Sequence, residues 1–363
     1  MGWADNKPTV SCLGAGVAFV LPVPTRPNNY YRSAALRAYA RGCHRRGIYG
    51  SESRWDNHRA GNGGLALKVL VTGSSGQLGS YVCEELLGNS EVSGLDIKPQ
   101  PYPSLKVISI LGDITEPGDV RSALKGVKAV IHCAAQVSVE KSTQDPLSDA
   151  RTNVLGTINM LHESSLAGVS KFIFVSSAAI FGPPKYIPID ENHPTNPMSN
   201  YGASKLAGEK YTLAFAHISQ MEVVSVRPFN FYSQRADPES PYSGVITKFL
   251  ARLKAGKPPI IEGDGRQTRD FIHARDVARM LVITLNKKGT RGEVFNCGSG
   301  VSTSIRELAD LLIKISQKPL KPEFTAARVG DIKESLASTT KASGWLSFRP
   351  KTTLEEGLSE MFH

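Results

Sequence analysis

A doubly wound α/β fold, with a parallel sheet and a smaller C-terminal lobe, is what this sequence of 363 residues predicts, on three observations. From Leu65 onward short apolar runs alternate with helical patterns. Those runs are too apolar for a sheet with one wet face, so helices must cover both sides. After Arg227 the rhythm stops and a mixed region takes over.

In order, "KVLVTG" (68–73) is the first strand and "QLGSYVCEELLG" its helix. "EVSGLDI" gives the second strand, followed by a loop; "KVISILGDI" gives the third, with "PGDVRSALKG" as helix. "KAVIHCAA" is the fourth, ahead of a long helix reaching "NVLGTINMLHESSLAG". "KFIFVSS", a helix around Tyr201 and "MEVVSVRP" complete the first half. Then "RADPESPYSG" reads as loop, "VITKFLARLKAG" as helix, and "EVFNCGSG" as a strand returning to the main sheet. The expected organisation is an extension (1–65), a doubly wound domain (66–229, with 271–300 returning to it) and a smaller lobe (230–270 and 301–363). That lobe lies over the carboxyl edge of the sheet, where doubly wound folds bind ligands.

With 40% hydrophobic residues the chain can bury a large core, and no window approaches eighteen consecutive apolar residues, which speaks against a membrane span. The five cysteines (Cys12, Cys43, Cys83, Cys133, Cys297) are scattered and form no C-x-x-C pair, which argues against a zinc site and a disulfide framework and for a reducing compartment. The net charge of +10 invites a nucleic-acid reading, but +6 of it belongs to residues 1–64, and the body carries no basic stripe interleaved with aromatics. The extension is arginine-rich and acid-poor, as a transit peptide is, and it is equally compatible with an unstructured tail or a mis-assigned start. The expected location is cytoplasmic, or an organelle if the extension is a transit peptide.

"VTGSSGQLGS" sets Gly73, Gly76 and Gly79 after the first strand and at the start of a helix. Glycines there allow a tight turn, let backbone approach a pyrophosphate, and leave that charge at the positive end of the helix dipole. Asp96 ends the second strand, where an acid accepts hydrogen bonds from an adenosine ribose and repels a 2′-phosphate. This favours NAD over NADP. "NYGASKLAG" (200–208) places Tyr201 four residues ahead of Lys205, one helical turn apart. A free tyrosine, with a pKa near ~10, is a poor base at neutral pH, and a fixed cation nearby favours its phenolate.

Together with "GDI" (112–114), "HCAAQVSV" (132–139), "NVLGT" (153–157), "FVSSAAIFG" (174–182), "RPFNFY" (227–232), "GDGRQTRDFIH" (263–273) and "FNCGSG" (295–300), these motifs make the chain resemble the extended short-chain dehydrogenase/reductases, and among them the nucleotide-sugar epimerases and dehydratases. The resemblance covers about Leu67 to Phe362 and implies a Rossmann-type NAD site. Its contacts would be Gly73, Gly76, Gln77, Leu78, Gly79, Asp96, Asp113 and Ile114 beside the adenine, Ala134 and Ala135 after the fourth strand, Asn153, Tyr201 and Lys205. Ser177, 24 residues before Tyr201, matches the hydroxyl that hydrogen-bonds the reacting sugar oxygen. Asn230, Arg269 and Arg328 match positions that hold the nucleotide diphosphate, a task suited to bidentate guanidinium contacts. His273 is assigned to packing, and no metal is expected.

The resemblance further implies that Tyr201, its pKa lowered by Lys205 and the oxidised nicotinamide, removes a hydroxyl proton as hydride leaves the same carbon. Dehydratases and decarboxylases of the family place acids shortly after the conserved serine or threonine; here Ala178 and Ala179 stand there, and neither can shuttle a proton. The expected outcome is 4-epimerisation of a UDP-hexose, with a dehydratase or reductase of the same family as the alternative. Ser335 falls where epimerases admit or restrict an N-acetyl group, and a small residue would admit it. Relatives commonly dimerise through two long helices, here around 146–167 and 200–219. Ser233 and Gln234 replace the usual glycine and proline of a Tyr-Gly-Pro-Arg turn, and neither receives a role from sequence.

Overall fold

The computed structural model describes residues 67–236, 244–328 and 330–362. The extension 1–65 and most of the "RADPESPYSG" loop lie outside the described residues. From Gly64 to His363 the chain forms one compact unit.

Twelve strands are described: β1 (Leu67–Thr72), β2 (Ser90–Asp96), β3 (Ile108–Leu111), β4 (Ala129–His132), β5 (Lys171–Val175), β6 (Glu222–Pro228), β7 (Asn230–Tyr232), β8 (Ile260–Glu262), β9 (Thr268–His273), β10 (Val294–Cys297), β11 (Ser302–Ser304) and β12 (Glu323–Thr325). Seven form one parallel sheet in the order β10-β6-β5-β4-β1-β2-β3. "EVFNCGSG" therefore does return to the main sheet, as β10 beside β6. The order reverses between β1 and β4, opening a crevice at the carboxyl ends of these strands, where ligands bind in open α/β sheets.

Alternation along each strand sends side chains to opposite faces. Val69, Val71, Ile131 and Ile173 join the core under the helices Gln77–Leu86 and Ala274–Asn286. Leu70, Val130, Phe172 and Phe174 join the core under Pro117–Ala123 and Thr157–Leu166. A third core, around Phe249, Leu253, Ile305, Leu308 and Leu358, belongs to the C-terminal lobe. There β7 and β11 flank β9, and β8 pairs with β12.

One expectation needs correction. The long helix ahead of residue 167 is four pieces: Val139–Gln144, Pro146–Ala150, a π-helical turn Arg151–Gly156, and Thr157–Leu166. Pro146 has no N–H to continue the first helix, and Asp145 leaves helical geometry (φ −136°, ψ 79°) to cap the next by accepting from the Ser148 N–H at 2.9 Å. The wide turn then carries Asn153 into the interior, where it is 1% exposed.

Candidate active site

The first βα turn is built so that only glycine fits at two of its positions. Gly73 sits at φ +67°, and a Cβ there would lie 2.8 Å from the Ala134 backbone. On Gly79 a Cβ would lie 2.0 Å from the Gly73 carbonyl oxygen. The turn closes by the Gly76 N–H donating to the Gly73 carbonyl at 3.1 Å, and the helix Gln77–Leu86 starts immediately after. Asp96, at the end of β2, is pinned to this turn: its Oδ2 accepts from the Ser75 N–H and its Oδ1 from the Lys98 N–H, both at 2.9 Å. Each oxygen keeps a lone pair for a ribose hydroxyl. A cradle that a side chain would fill, a helix N-terminus and a carboxylate at the next strand's end fit a dinucleotide.

The surrounding residues take defined places. Asp113 donates its N–H to Asp119 at 2.9 Å and accepts at Oδ1 from Thr115, while Ile114 is buried against Gly156. The Ala134 N–H donates to Thr72 Oγ1 at 3.1 Å, which fixes the backbone entering Ala135. Leu78 is buried, and Gln77 Nε2 donates to Ser233 Oγ at 3.1 Å. Ser233 thus gains a contact that sequence did not give it. Two residues on, Arg235 lies between the rings of Tyr81 and Tyr102, 3.9 and 4.6 Å from their centroids, and reaches Glu84 at 2.6 Å.

The helix Asn200–Ile218 carries the tyrosine and the lysine. Ser199 caps it by accepting from the Gly202 N–H at 3.0 Å, and the Tyr201 N–H donates to Ser142 Oγ at 3.1 Å. Ser177 opens a 3-10 turn (Ala178–Ile180) after β5, where its Oγ accepts from the Ala179 N–H at 3.1 Å, and its hydroxyl exerts a downward pull on the pKa of the Tyr201 phenol. Lys205 is 4% exposed, with its ammonium 4.4 Å from the centre of the Phe174 ring. Burial brings its pKa down to about 8, against the upward pull of Cys133, Glu209 and Asp149.

The lowered Tyr201 pKa implied by the resemblance belongs to the NAD-bound state, and the chain by itself differs from it. In the chain by itself the Tyr201 pKa is raised: burial outweighs the downward pull of the Ser177 hydroxyl, and the charge of Asp149 pushes the same way as burial. A phenol loses hydration when it ionises in a partly enclosed site, and this cost exceeds what Ser177 returns.

Asn153 spends its amide within the protein. Its Oδ1 accepts from the Gln136 N–H at 2.8 Å, and its Nδ2 reaches the Gln136 carbonyl, Asp149 and Ser204 at 2.9, 3.0 and 3.1 Å. It holds the loop after β4 against the helix of Tyr201. His132 does similar work one residue before that loop: Thr157 Oγ1 donates to the Asn153 carbonyl, so His132 Nε2–H donates to Thr157, and Thr72 Oγ1 donates to His132 Nδ1 at 2.7 Å. Burial drops the His132 pKa to about 3, so the ring stays neutral.

Sequence reasoning also missed Glu209. It is fully buried, and its two oxygens take Arg227 in a fork at 2.7 and 2.9 Å, with Ser225 at 3.1 Å. Burial penalises its charge, but these partners outweigh that and hold its pKa below the usual carboxylate range. The signal was available as one turn of helix: Tyr201, Lys205 and Glu209 follow at spacings of four.

A cleft of about 920 Å³ lies between the loop 137–140 and the C-terminal lobe, and Asn230, Arg269 and Arg328 all line it. Arg269 is oriented by Asp331 and by the Ile332 carbonyl, both at 2.6 Å. Arg328 is exposed. Ser335 does not line this cleft, and neither do Ser177, Tyr201 or Lys205. His273 caps the helix Ala274–Asn286 and packs edge-on against Tyr81 and Tyr232. Among the described residues no group of three or more His, Cys, Asp or Glu is placed to hold a metal.

Comparison with known proteins gives a consistent picture. The pattern of the NAD dependent epimerase/dehydratase family matches residues 69–298. A UDP-glucose 4-epimerase of Mycolicibacterium smegmatis is 35% identical over 306 residues, covering 81% of this chain and 97% of the relative. The crystal structure of UDP-glucose 4-epimerase with UDP-glucose from Thermotoga maritima is similar with a TM-score of 0.77 at 32% identity, covering 82% and 97% of the two chains. A UDP-N-acetylglucosamine 4-epimerase from Methanobrevibacter ruminantium also gives 0.77, at 29% identity and the same coverage.

Proposed function

The chain belongs to the NAD dependent epimerase/dehydratase family, and from that premise we propose that it interconverts UDP-hexoses epimeric at C4, with Tyr201, Lys205 and Ser177 as its reacting set. The observation that carries this reading is Tyr201 one helical turn from buried Lys205, with Ser177 at the end of β5 acting on the phenol and alanines at 178 and 179 where a dehydratase needs an acid.

Bound NAD supplies a hydride acceptor, and in the reverse sense a donor, at the sugar carbon. The residues proposed to hold it are Gly73, Gly76, Gln77, Leu78, Gly79, Asp96, Asp113, Ile114, Ala134, Ala135 and Lys205, with Asn153 setting the loop that contains the alanines. Tyr201 Oη takes the proton of the C4 hydroxyl, and Ser177 Oγ holds the same oxygen in line. Tyr201 sits above its ordinary pKa in the chain alone, so its ionisation depends on the positive charge brought in beside it. Lys205, with a pKa of about 8, supplies one cation at neutral pH. Asn230, Arg269 and Arg328 supply polar and cationic contacts for the diphosphate in the cleft. After the keto sugar turns over, Tyr201 returns the proton and the product leaves with no net redox change.

A second copy of the chain suits the exposed Leu147, Leu155, Leu166 and Ile218, which are 79, 59, 70 and 74% accessible along the segments expected to dimerise. Among the described residues no helix is long and apolar enough to cross a membrane. The free Cys83, Cys133 and Cys297 suit a reducing cytoplasmic setting. Ser335 stays the candidate for N-acetyl tolerance.

The test is to incubate purified protein, without added cofactor, with UDP-glucose and separately with UDP-N-acetylglucosamine. UDP-galactose forming with no accumulation of NADH supports the reading. Release of NADH, or a deoxy product, would replace it with the reductase or dehydratase alternative.

A further inference from the structure

Asp149 is a buried carboxylate that the steps above leave unused. It is 1% exposed and sits on the short helix Pro146–Ala150. Its Oδ1 accepts from Gln136 Nε2 at 2.9 Å and from Asn153 Nδ2 at 3.0 Å. That same Asn153 nitrogen reaches Ser204 Oγ at 3.1 Å, and Ser204 Oγ donates to the Tyr201 carbonyl at 3.0 Å. One carboxylate oxygen is therefore joined, through two side chains, both to the loop after β4 and to the helical turn that carries Tyr201 and Lys205.

We propose that Asp149 is a positioning residue for the Tyr201–Lys205 pair: through Gln136 and Asn153 it fixes the loop after β4 and the helix that carries the pair to one another. The inference rests on Tyr201 and Lys205 being the reacting pair. Neutral amide donors hold the carboxylate without cancelling its charge, and out of water that charge is poorly screened.

The other groups facing the pair are few. Tyr201 meets the Ser177 hydroxyl from the turn after β5. Lys205 feels Cys133 after β4 and Glu209 one turn along its own helix electrostatically, and His132 on β4 stays neutral. Arg227 on β6 is engaged by Glu209. Within this set Asp149 is the group whose charge acts on both members, upward on the phenol and upward on the ammonium. Removing the charge lowers both. In the NAD-loaded protein, whose oxidised nicotinamide adds the positive charge that Tyr201 ionisation depends on, the acid limb of the rate, set by that ionisation, and the alkaline limb, set by loss of the Lys205 proton, then move to lower pH together.

The experiment measures kcat against pH for the NAD-loaded protein with Asp149→Asn, Asp149→Ser and Asp149→Glu. The proposal expects both limbs to move acidward by about 1 pH unit in the two neutral variants. It expects them to stay in place in Asp149→Glu, whatever happens to the rate. Near-ultraviolet titration of the phenolate, with Tyr201→Phe subtracted, reads the same shift without turnover and serves if a variant is slow. Limbs and phenolate titration that coincide with the unaltered protein in a folded neutral variant overturn the proposal, leaving Asp149 as packing. So does an Asp149→Glu displacement equal to that of Asp149→Asn. Full activity of Tyr201→Phe would instead remove the reading beneath it.

Discussion

Gly79 illustrates how closely single residues are held in this site. Alanine there would put a carbon 2.0 Å from the Gly73 carbonyl oxygen, so the turn must open. We expect Gly79→Ala to lose copurifying NAD and to cost about 1–3 kcal/mol in chemical denaturation; unchanged NAD content would contradict the cradle. Lys205 gives a prediction in pH. With its pKa brought to about 8 by burial, the ammonium is present below that value and lost above it. The phenolate loses its nearby cation as pH rises, and kcat is expected to fall above about pH 8 even where the protein stays folded by circular dichroism. Much at this scale was legible in the sequence, because glycine turns and a Tyr-Lys pair at a spacing of four have local causes. The raised pKa of Tyr201 was not, since it depends on how much water the fold removes.

At the scale of elements, the buried fork between Glu209 and Arg227 ties the helix Asn200–Ile218 to the end of β6, and Arg227 continues to the Glu191 carbonyl at 3.0 Å. Glu209→Ala leaves a guanidinium buried without its carboxylate, and about 3–5 kcal/mol of stability should go with it. The pH dependence has a definite sign. A carboxylate whose folded pKa is depressed adds stability that is fully present above its unfolded value and is lost as pH falls through the folded one. The variant's melting temperature should accordingly vary less with acid than that of the unaltered protein, and an equal slope would contradict the account. The strands were readable from their apolar runs, since a sheet covered on both faces demands them. The broken helix was less so: Pro146 was visible, but the π-helical turn at Asn153 comes from the buried contacts of that side chain with Gln136, Asp149 and Ser204.

For the molecule as a whole, the reversal of strand order between β1 and β4 explains why the glycine turn, the Gln136 loop and the Tyr201 helix converge at one edge of the sheet. Sequence supplied the alternation and the return of β10, but strand order arises only from long-range pairing. Likewise Asn230, Arg269 and Arg328 are far apart in the chain and meet only across the cleft, where Asp331 orients Arg269. The central claim is that one sugar carbon gives up and regains the same hydride while the keto sugar stays bound. The direct measurement uses UDP-glucose labelled with deuterium at C4, converted without added cofactor and analysed by mass spectrometry and NMR. The account predicts UDP-galactose with the deuterium still at C4. Deuterium at another carbon, in free NADH or exchanged into water would contradict it.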